Sequence, residues 1–553
     1  MSAVLELRSL SVALPPGADR AFALQDVSFT LARGRVLCVV GESGSGKSMT
    51  ASTMMRLLPE GVRVTAGQVL LAGADLLQQS ETEMRKLRGR RVAMIFQEPM
   101  TALNPLRPIG DQIAEVFRIH TALPRADITM RTLALLEEVR IPDPASALHA
   151  YPHELSGGQR QRAMIAMALA LEPELLIADE PTTALDVTTQ AQILSLIRDL
   201  QSRRGTAVLF ITHDFGVVAD IADDIVVMQN GVIVEQGPAE RVLNHPEHPY
   251  TQALIAAVPP LSHIPLPRPV SAEPALTVSG LSKTFGKAPG RFSRVRRHGR
   301  VVQALDDVSV TLPRGGTLGI VGESGSGKST LARCLVRLME PDSGSIRLGT
   351  TDLAALTARQ LRTERRRIQM VFQDPYASLN PRRRVGELVA QGPMTHGVPR
   401  TEALAQARDL FVLVGLNPDA VDRYPHEFSG GQRQRIGLAR ALALRPEVLV
   451  ADEAVSALDV SVQAQVLRLL AELRTRLNLS TLFITHDLRV AAQICDRIAV
   501  MHQGRVVEEG TVAEVFGSPR HEYTRSLLKA VPGQGRHRAA GALDPHDGPL
   551  LLN

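Results

Sequence analysis

The sequence contains no tryptophan, and aromatic residues make up only 3% of its 553 residues. Such a composition offers little material for the aromatic belts that anchor spanning segments at membrane interfaces. The longest apolar stretches are interrupted by charged residues and proline, as at residues 172–174, whereas a spanning helix needs about 20 consecutive apolar residues. Near the N-terminus, Glu6 and Arg8 lie where a signal peptide requires an apolar run. We therefore expect no spanning helix and no secretory signal.

Cysteine is also scarce, and Cys38, Cys334 and Cys495 are far apart, without the spacing of a metal or redox motif. We expect them to be small buried hydrophobes of a reducing compartment. The 62 basic and 57 acidic residues nearly balance, giving a net charge of +5, which is too weak to indicate nucleic-acid binding. The segment Lys283–Arg300 carries seven basic residues and no acidic one. A solvated loop is favoured there over a contact with anionic lipid or nucleic acid.

The chain contains the same series of motifs twice, in the same order and at nearly constant spacing. GESGSGKS, YPHE followed by Leu or Phe and SGGQRQR, ADE and FITHD each occur in both halves. The repeat is far too long for a solenoid, so each copy is predicted to be a whole domain. Between them lies a segment with prolines at positions 259, 260, 265, 267, 269 and 274, which is typical of a semi-rigid linker.

Both GESGSGKS loops follow an apolar, strand-like run and precede a helical pattern, the context in which G-x-x-x-x-G-K-S binds nucleoside triphosphates. Glycines let successive N–H groups face a phosphate, and the helix directs its positive end toward it. The lysine is expected to reach the β- and γ-phosphates, and the final serine to be a Mg²⁺ ligand. The predicted ATP-binding residues of the loops are Gly41, Glu42, Ser43, Gly44, Ser45, Gly46, Lys47, Ser48, Gly322, Glu323, Ser324, Gly325, Ser326, Gly327, Lys328 and Ser329.

The runs LLIADE and VLVADE each end in two acidic residues. Consecutive apolar residues indicate a buried parallel strand, and ligands of open α/β sheets bind at the carboxyl ends of the strands. Asp179 and Asp452 are therefore predicted to hold Mg²⁺. Glu180 and Glu453 are predicted to orient and polarise the attacking water, because phosphoryl transfer chiefly demands positioning and charge neutralisation.

A second anion-binding helix start is predicted in each half, where a serine and two glycines open a helical pattern. A domain that already has a phosphate loop has little use for another, unless this helix end serves the nucleotide of a neighbouring domain. The residues of these signatures are Ser156, Gly157, Gly158, Gln159, Ser429, Gly430, Gly431 and Gln432.

Together with Gln97, Gln373, His213 and His486, these motifs resemble the ATPase domains of ABC transporters over roughly residues 4–258 and 276–532. The stretches after the glutamines and at the end of each half are similar to those of dipeptide, oligopeptide and nickel importer ATPases. The resemblance implies an α/β fold with two tandem ABC-type P-loop ATPase domains. Each has a RecA-like α/β core, a small antiparallel β subdomain and a helical subdomain. The implied boundaries are 1–258 for domain 1, 259–275 for the linker, 276–532 for domain 2 and 533–553 for a disordered tail.

The resemblance also implies two composite ATP sites, each combining the P-loop of one half with the signature of the other. The implied catalytic residues are Glu180, Glu453, His213, His486, Gln97 and Gln373. The implied Mg²⁺ ligands are Ser48, Gln97, Asp179, Ser329, Gln373 and Asp452. The histidines would sense the γ-phosphate, and because both sets are complete, two competent sites are expected.

In ABC domains an early aromatic residue commonly stacks on adenine, and Phe285 takes that place in the second half. The first half has Leu14 there, with Phe22 nearby as a substitute. Loss of one stacking contact costs about 1 kcal/mol, so we expect at most about a tenfold difference in affinity between the two sites.

The resemblance implies an ATPase that energises import through two transmembrane permease subunits, fed by an extracytoplasmic solute-binding protein. It implies ATP and Mg²⁺ as cofactors, no nucleic acid, and a peripheral position on the cytoplasmic face of the inner membrane. The alternative is a soluble twin-ABC ATPase acting on ribosomes or nucleic acid. Such factors usually carry a long charged helical linker, whereas the linker here is short and Pro-rich.

Overall fold

The structure is a computed structural model that describes residues 3–182, 185–258, 271, 273–286, 301–374, 378–456 and 458–533. Most of the predicted linker (259–270 and 272), most of the basic segment (287–300) and most of the predicted tail (534–553) lie outside the described residues. The chain divides into two compact units, Met1–Val258 with Val531–Asn553, and Pro259–Ala530. Each unit has two β-sheets with helices between and around the strands, which confirms the α/β fold.

The first unit combines a four-stranded antiparallel sheet, in the order β2-β1-β4-β5, with a six-stranded sheet in the order β10-β9-β3-β8-β7-β6. In the larger sheet, all pairs except β9–β10 are parallel. The described strands are β1 (Ala3–Ala13), β2 (Phe22–Ala32), β3 (Val36–Val40), β4 (Arg63–Leu71), β5 (Ala74–Asp75), β6 (Val92–Ile95), β7 (Leu175–Asp179), β8 (Ala207–Thr212), β9 (Asp224–Gln229) and β10 (Val232–Pro238).

Helices of the first unit follow most strands of the larger sheet, as expected for a parallel core. The described α-helices are α1 (Lys47–Met54), α2 (Glu81–Leu87), α3 (Pro99–Ala102), α4 (Ile109–His120), α5 (Arg125–Glu138), α6 (Pro144–Ala147), α7 (Gly157–Leu169), α8 (Val187–Arg204), α9 (Phe215–Ile221), α10 (Ala239–Asn244) and α11 (Pro249–Ala256).

The second unit repeats this arrangement, with sheets in the orders β12-β11-β14-β15 and β16-β17-β18-β13-β19-β20. Its described strands are β11 (Pro274–Phe285), β12 (Val302–Pro313), β13 (Thr317–Val321), β14 (Ser343–Leu348), β15 (Thr351–Asp352), β16 (Ile368–Val371), β17 (Val448–Asp452), β18 (Ser480–Ile484), β19 (Arg497–His502) and β20 (Arg505–Thr511). Its described helices are α12 (Lys328–Leu335), α13 (Ala358–Glu364), α14 (Val385–Thr395), α15 (Arg400–Leu413), α16 (Gly430–Leu442), α17 (Val460–Leu477), α18 (Leu488–Ile494), α19 (Val512–Gly517) and α20 (Glu522–Lys529).

Strand β3 is completely buried because both faces of the parallel sheet are covered. Its side chains alternate between two cores. Leu37 and Val39 pack with the antiparallel sheet, whereas Cys38 and Val40 pack with the helical side, which includes Phe117 of α4. The strand that precedes the first P-loop is therefore held from both sides.

All three cysteines are buried and free, which confirms their prediction as small core residues. Burial raises the pKa of the Cys334 thiol to about 11, and it raises the pKa values of Cys38 and Cys495 as well. Lys283, which the sequence assigned to a basic loop, lies instead in β11. Its ammonium group contacts a carboxylate oxygen of Asp342 at 2.7 Å. Among the described residues, no helix is both long and apolar enough to cross a bilayer.

Candidate functional site

Parallel strand pairing brings the motifs of the first half to one edge of the sheet. Val40 pairs with Thr212 between β3 and β8, and Asp179 pairs with Ile211 between β7 and β8. The residues that follow these strand ends, including Glu180 and His213, are therefore neighbours. The second half has the same register, with Asp452 of β17 opposite Ile484 of β18.

The first P-loop ends at Gly46, which has a φ of 106° and caps the N-terminus of α1. A Cβ atom there would lie 2.7 Å from Cδ2 of Leu24, so both conformation and space require glycine. Lys47, the first residue of α1, is buried, and its ammonium group donates to the carbonyl oxygens of Gly41 and Glu42, each at 2.8 Å. The loop's own carbonyl groups thus hold the lysine within the P-loop.

The second P-loop has the same contacts. The Lys328 ammonium group donates to the carbonyl oxygens of Gly322 and Glu323, each at 2.7 Å. Gly327 caps α12 with a φ of 103°. The two loops are therefore alike in both backbone conformation and lysine position.

A serine and a buried aspartate meet beside each P-loop. The Ser48 hydroxyl donates to Oδ1 of Asp179 at 3.0 Å, and the Ser329 hydroxyl donates to Oδ1 of Asp452 at 3.1 Å. Burial raises the pKa of Asp179 to about 6, although the Ser48 hydrogen bond opposes the shift. Burial also raises the pKa of Asp452. Each pair places two hard oxygen ligands at the end of a phosphate-binding loop.

Glu180 lies between two other predicted site residues. The Gln97 amide donates to Oε2 of Glu180 at 2.9 Å, and Nδ1 of His213 lies 3.2 Å from Oε1. In the second half, the Gln373 amide donates to Oε2 of Glu453 at 2.8 Å, and Nδ1 of His486 lies 3.3 Å from that oxygen. The structure thus brings together glutamine, glutamate and histidine in both halves, as the motifs predicted.

Both glutamates have a strained backbone, with φ values of 46° at Glu180 and 47° at Glu453. Left-handed conformations are uncommon for residues other than glycine, asparagine and aspartate, and they cluster at functional sites. Each glutamate N–H is fixed by donation to the neighbouring strand, to the carbonyl oxygens of Ile211 and Ile484. The sequence offers no signal for this turn.

In the second half, Glu453 and His486 shift each other's pKa values. Burial by itself would raise the pKa of Glu453, but His486, the charge of Lys328 and the Gln373 hydrogen bond together outweigh it, so the pKa is lowered. Burial likewise would lower the pKa of His486, but Glu453 raises it. The pair therefore favours an ionised glutamate beside its histidine.

The two signature serines cap helices, as predicted. Ser156 accepts from the Gln159 N–H at 3.3 Å, and the Gln159 side chain accepts from the Ser156 N–H at 2.9 Å, which forms a capping box at the start of α7. Ser429 and Gln432 make the same pair at the start of α16, at 3.3 and 3.0 Å.

The two glycines of each signature have different surroundings. A Cβ at Gly158 would lie 2.6 Å from Cγ2 of Thr189, and one at Gly431 would collide with Val462, so these glycines allow close packing against α8 and α17. At Gly157 and Gly430 a Cβ would meet nothing closer than 3.9 Å. The first glycine of each pair therefore leaves room beside a helix N-terminus.

The residues predicted to lie beside adenine differ between the halves. Phe285 ends β11 and is 40% exposed, whereas Leu14 is half-buried against the core beneath the antiparallel sheet. Sequence reasoning missed Arg20, whose guanidinium group donates to the carbonyl oxygen of Gly44 in the first P-loop at 2.5 Å. An arginine in the loop between β1 and β2 carries no sequence signal for such a contact.

Two tyrosines were also missed. The Glu42 N–H donates to the Tyr250 hydroxyl at 3.1 Å, and the Glu323 N–H donates to the Tyr523 hydroxyl at 3.0 Å. Both tyrosines follow their P-loops by about two hundred residues along the chain. Their place in the repeated stretch at the end of each half was visible in the sequence, but their contact was not.

The family comparison matches the ABC transporter model at residues 24–183 and 305–456. The chain belongs to the ABC transporter family. A second model, the oligopeptide/dipeptide transporter C-terminal region, matches residues 234–278 and 507–549. Both family models thus occur twice, once in each half.

Curated relatives extend the similarity over the whole ABC protein. It is 47% identical to the glutathione import ATP-binding protein GsiA of Salmonella typhimurium, covering 100% of this chain and 93% of the relative. For GsiA of Escherichia coli O157:H7, the identity is also 47%, covering 96% and 89%. This ABC protein is an ATP-binding and ATP-hydrolysing importer subunit of the peptide type. A subunit of this kind implies membrane permeases as partners.

The buried carboxylate of Asp179 gives a stability prediction for the protein without nucleotide or metal. Its folded-state pKa of about 6 lies above the ordinary 3.8. The folded protein is therefore more stable at low pH, where this carboxyl is protonated, and it loses this stability as the pH rises through 6. The difference between these two pKa values corresponds to about 3 kcal/mol in the free energy of unfolding. Asp179→Asn should raise the free energy of unfolding at pH 8 by up to this amount, and by much less at pH 4.

This prediction is checked by denaturant unfolding in EDTA at both pH values. Glu60→Gln, which changes an exposed acidic residue, is the control and should leave the pH profile unchanged. A lower stability of Asp179→Asn than of the parent protein at pH 8 would contradict the prediction.

Proposed function

We propose that the two halves form two composite ATP sites, in which the P-loop of each half faces the signature of the other. The observation that carries this proposal is the open space at Gly157 and Gly430 beside a capped helix N-terminus. A helix N-terminus favours anions, and these glycines allow a phosphate to approach its N–H groups. ATP would then join the halves, and hydrolysis would let them separate.

We propose that Glu180 and Glu453 accept the proton of the attacking water. The carboxylate of Glu180 is oriented by the Gln97 amide on one oxygen and by His213 on the other. Lys47 would neutralise the developing charge on the phosphates, since its ammonium group is already held at the loop. Positioning and charge neutralisation are what phosphoryl transfer requires of a protein. The corresponding residues of the second half are Gln373, Glu453, His486 and Lys328.

The oxygen pairs Ser48 with Asp179 and Ser329 with Asp452 fit Mg²⁺. A hydroxyl and a carboxylate are hard ligands, and this ion usually binds through one or two such groups together with substrate phosphates. The bound ion would neutralise phosphate charge. The predicted Mg²⁺ ligands Gln97 and Gln373 donate to the glutamates through Nε2, which leaves the amide oxygen of each for the ion.

For the transported solute, we propose glutathione or a peptide-like molecule of similar size. The similarity to GsiA over the full length supports this proposal. The protein would act at the cytoplasmic face of the inner membrane with two permeases and an extracytoplasmic solute-binding protein. The duplicated oligopeptide/dipeptide transporter region favours this role over that of a ribosome-associated factor.

The two sites should contribute equally to ATP hydrolysis, because their glutamate contacts agree within 0.1 Å. Glu180→Gln and Glu453→Gln should each remove the turnover of one of two equal sites and so lower kcat about twofold, whereas the double variant should lower it about a hundredfold or more, as expected for loss of the general base. Steady-state ATPase assays of the full chain check this, with Glu98→Gln as the control. A loss confined to one variant would mean that only one site is catalytic.

Pairs of variants test which signature serves which P-loop. Lys47→Ala with Gly430→Asp damages one proposed site and should leave one ATP bound per chain. Lys47→Ala with Gly157→Asp damages both and should abolish tight binding. Equilibrium binding of a slowly hydrolysed ATP analogue with Mg²⁺ gives the stoichiometry. The opposite pattern would mean that each half uses its own signature.

Transport itself is tested in cells from which the gene is deleted. The wild-type chain should restore uptake of labelled glutathione, and the double variant Glu180→Gln, Glu453→Gln should not. A labelled dipeptide measured in parallel distinguishes the two solute classes. Uptake of both solutes that is independent of the gene would contradict the import proposal.

A further inference from the structure

The tyrosine hydroxyl at the end of each half fixes one particular peptide group of the P-loop. The carbonyl of Gly41 and the N–H of Glu42 belong to the same peptide unit. That carbonyl accepts from the Lys47 ammonium group at 2.8 Å, and the N–H donates to the Tyr250 hydroxyl at 3.1 Å. Because a peptide unit is planar, the tyrosine on one side sets the direction of the oxygen that holds the lysine on the other.

The second half repeats this arrangement. The Gly322 carbonyl accepts from the Lys328 ammonium group at 2.7 Å, and the N–H of the same peptide unit donates to the Tyr523 hydroxyl at 3.0 Å. The Tyr523 ring also packs on His502, with ring centroids 3.9 Å apart. The same contact in both halves indicates that it is part of the fold that the two halves share.

Tyr250 is itself held by a rigid helix start. The Tyr250 N–H donates to Nδ1 of His248, the cap of α11, at 3.2 Å. Glu235 of β10 accepts from the N–H groups of Glu247 and His248 at 3.0 and 3.1 Å. Burial alone would raise the pKa of Glu235, but the pKa is lowered, and these two hydrogen bonds are among the causes. The carboxylate therefore ties the helix that carries Tyr250 to the edge of the large sheet.

The matching contacts occur at α20. The Tyr523 N–H donates to Nδ1 of His521 at 3.1 Å. Glu508 of β20 accepts from the N–H groups of Arg520 and His521 at 2.8 and 3.1 Å. Tyr250 and Tyr523 thus occupy equivalent places within the two matches to the oligopeptide/dipeptide transporter C-terminal region.

We infer that Tyr250 and Tyr523 are positioning residues for ATP binding, acting through the peptide unit that holds the P-loop lysine. Without the hydroxyl, this peptide unit can rotate, and the lysine loses a fixed carbonyl partner at the phosphate position. The C-terminal region of each half is thereby a support for its P-loop. The inference rests on ATP binding by the two P-loops and is independent of the transported solute.

The test uses Tyr250→Phe, Tyr523→Phe and the double variant in the full chain, because phenylalanine keeps the ring and removes only the hydroxyl. Loss of one hydrogen bond should weaken ATP binding about three- to tenfold at the affected site. Each single variant should weaken the binding of one of the two nucleotides, and the double variant should weaken the binding of both. At saturating ATP, kcat should stay within about twofold, so that the change appears in KM.

A matched control is Tyr151→Phe, which removes the same atom from an exposed tyrosine outside the P-loop. Melting temperatures with and without ATP separate positioning from a merely structural role. Positioning predicts a smaller ATP-induced increase in melting temperature. An unchanged ATP dissociation constant would overturn the inference, whether or not the nucleotide-free protein melts earlier. Loss of ATPase activity in the Glu→Gln variants would be unaffected by that outcome, so the two proposals fail separately.

Discussion

Parallel pairing of the central strands is the constraint on which the site depends. The pairs Val40 with Thr212 and Asp179 with Ile211 align the ends of three strands, and each strand continues directly into a functional residue. A slip of one residue would turn every side chain of a strand to the opposite face. Because strand β3 packs against two separate cores, such a slip would exchange side chains of different shape between two close-packed cores. Hydrophobic burial thus fixes the relative positions of the chemical groups.

The site of the first half contains two charged side chains that are buried away from water, those of Asp179 and Lys47. Asp179 is 5% exposed and has a raised pKa, while Lys47 is equally buried but satisfied by backbone carbonyl groups. Burying a charge is costly unless it is paired or hydrogen-bonded. A bound nucleotide and cation would place further opposite charges beside these two side chains, so we expect ligand binding to stabilise the site.

The halves agree in their catalytic contacts and differ where catalysis does not require identity. In the second half, Arg474 of α17 and Asp496 form an ion pair at 2.9 Å with both side chains largely buried. At the matching place in the first half, Gln201 of α8 donates to the carbonyl oxygen of Gly34. The residues predicted to lie beside adenine, Leu14 and Phe285, also differ. The helix and strand framework therefore tolerates substitution around two sets of glutamine, glutamate and histidine with similar contact distances.

The sequence by itself determined the duplication, the P-loops, the acidic strand ends, the capped signature helices and the α/β class. The P-loops, acidic strand ends and capped helices depend on near neighbours, such as Ser156 with Gln159, or on runs of apolar residues, and the α/β class followed from the resemblance to ABC ATPase domains. Only the tertiary structure decided what depends on distant segments. It turned Glu180 into a left-handed conformation beside Gln97 and His213, and it brought Tyr250 to Glu42. Such contacts join residues far apart in the chain, where no local spacing or propensity records that they meet.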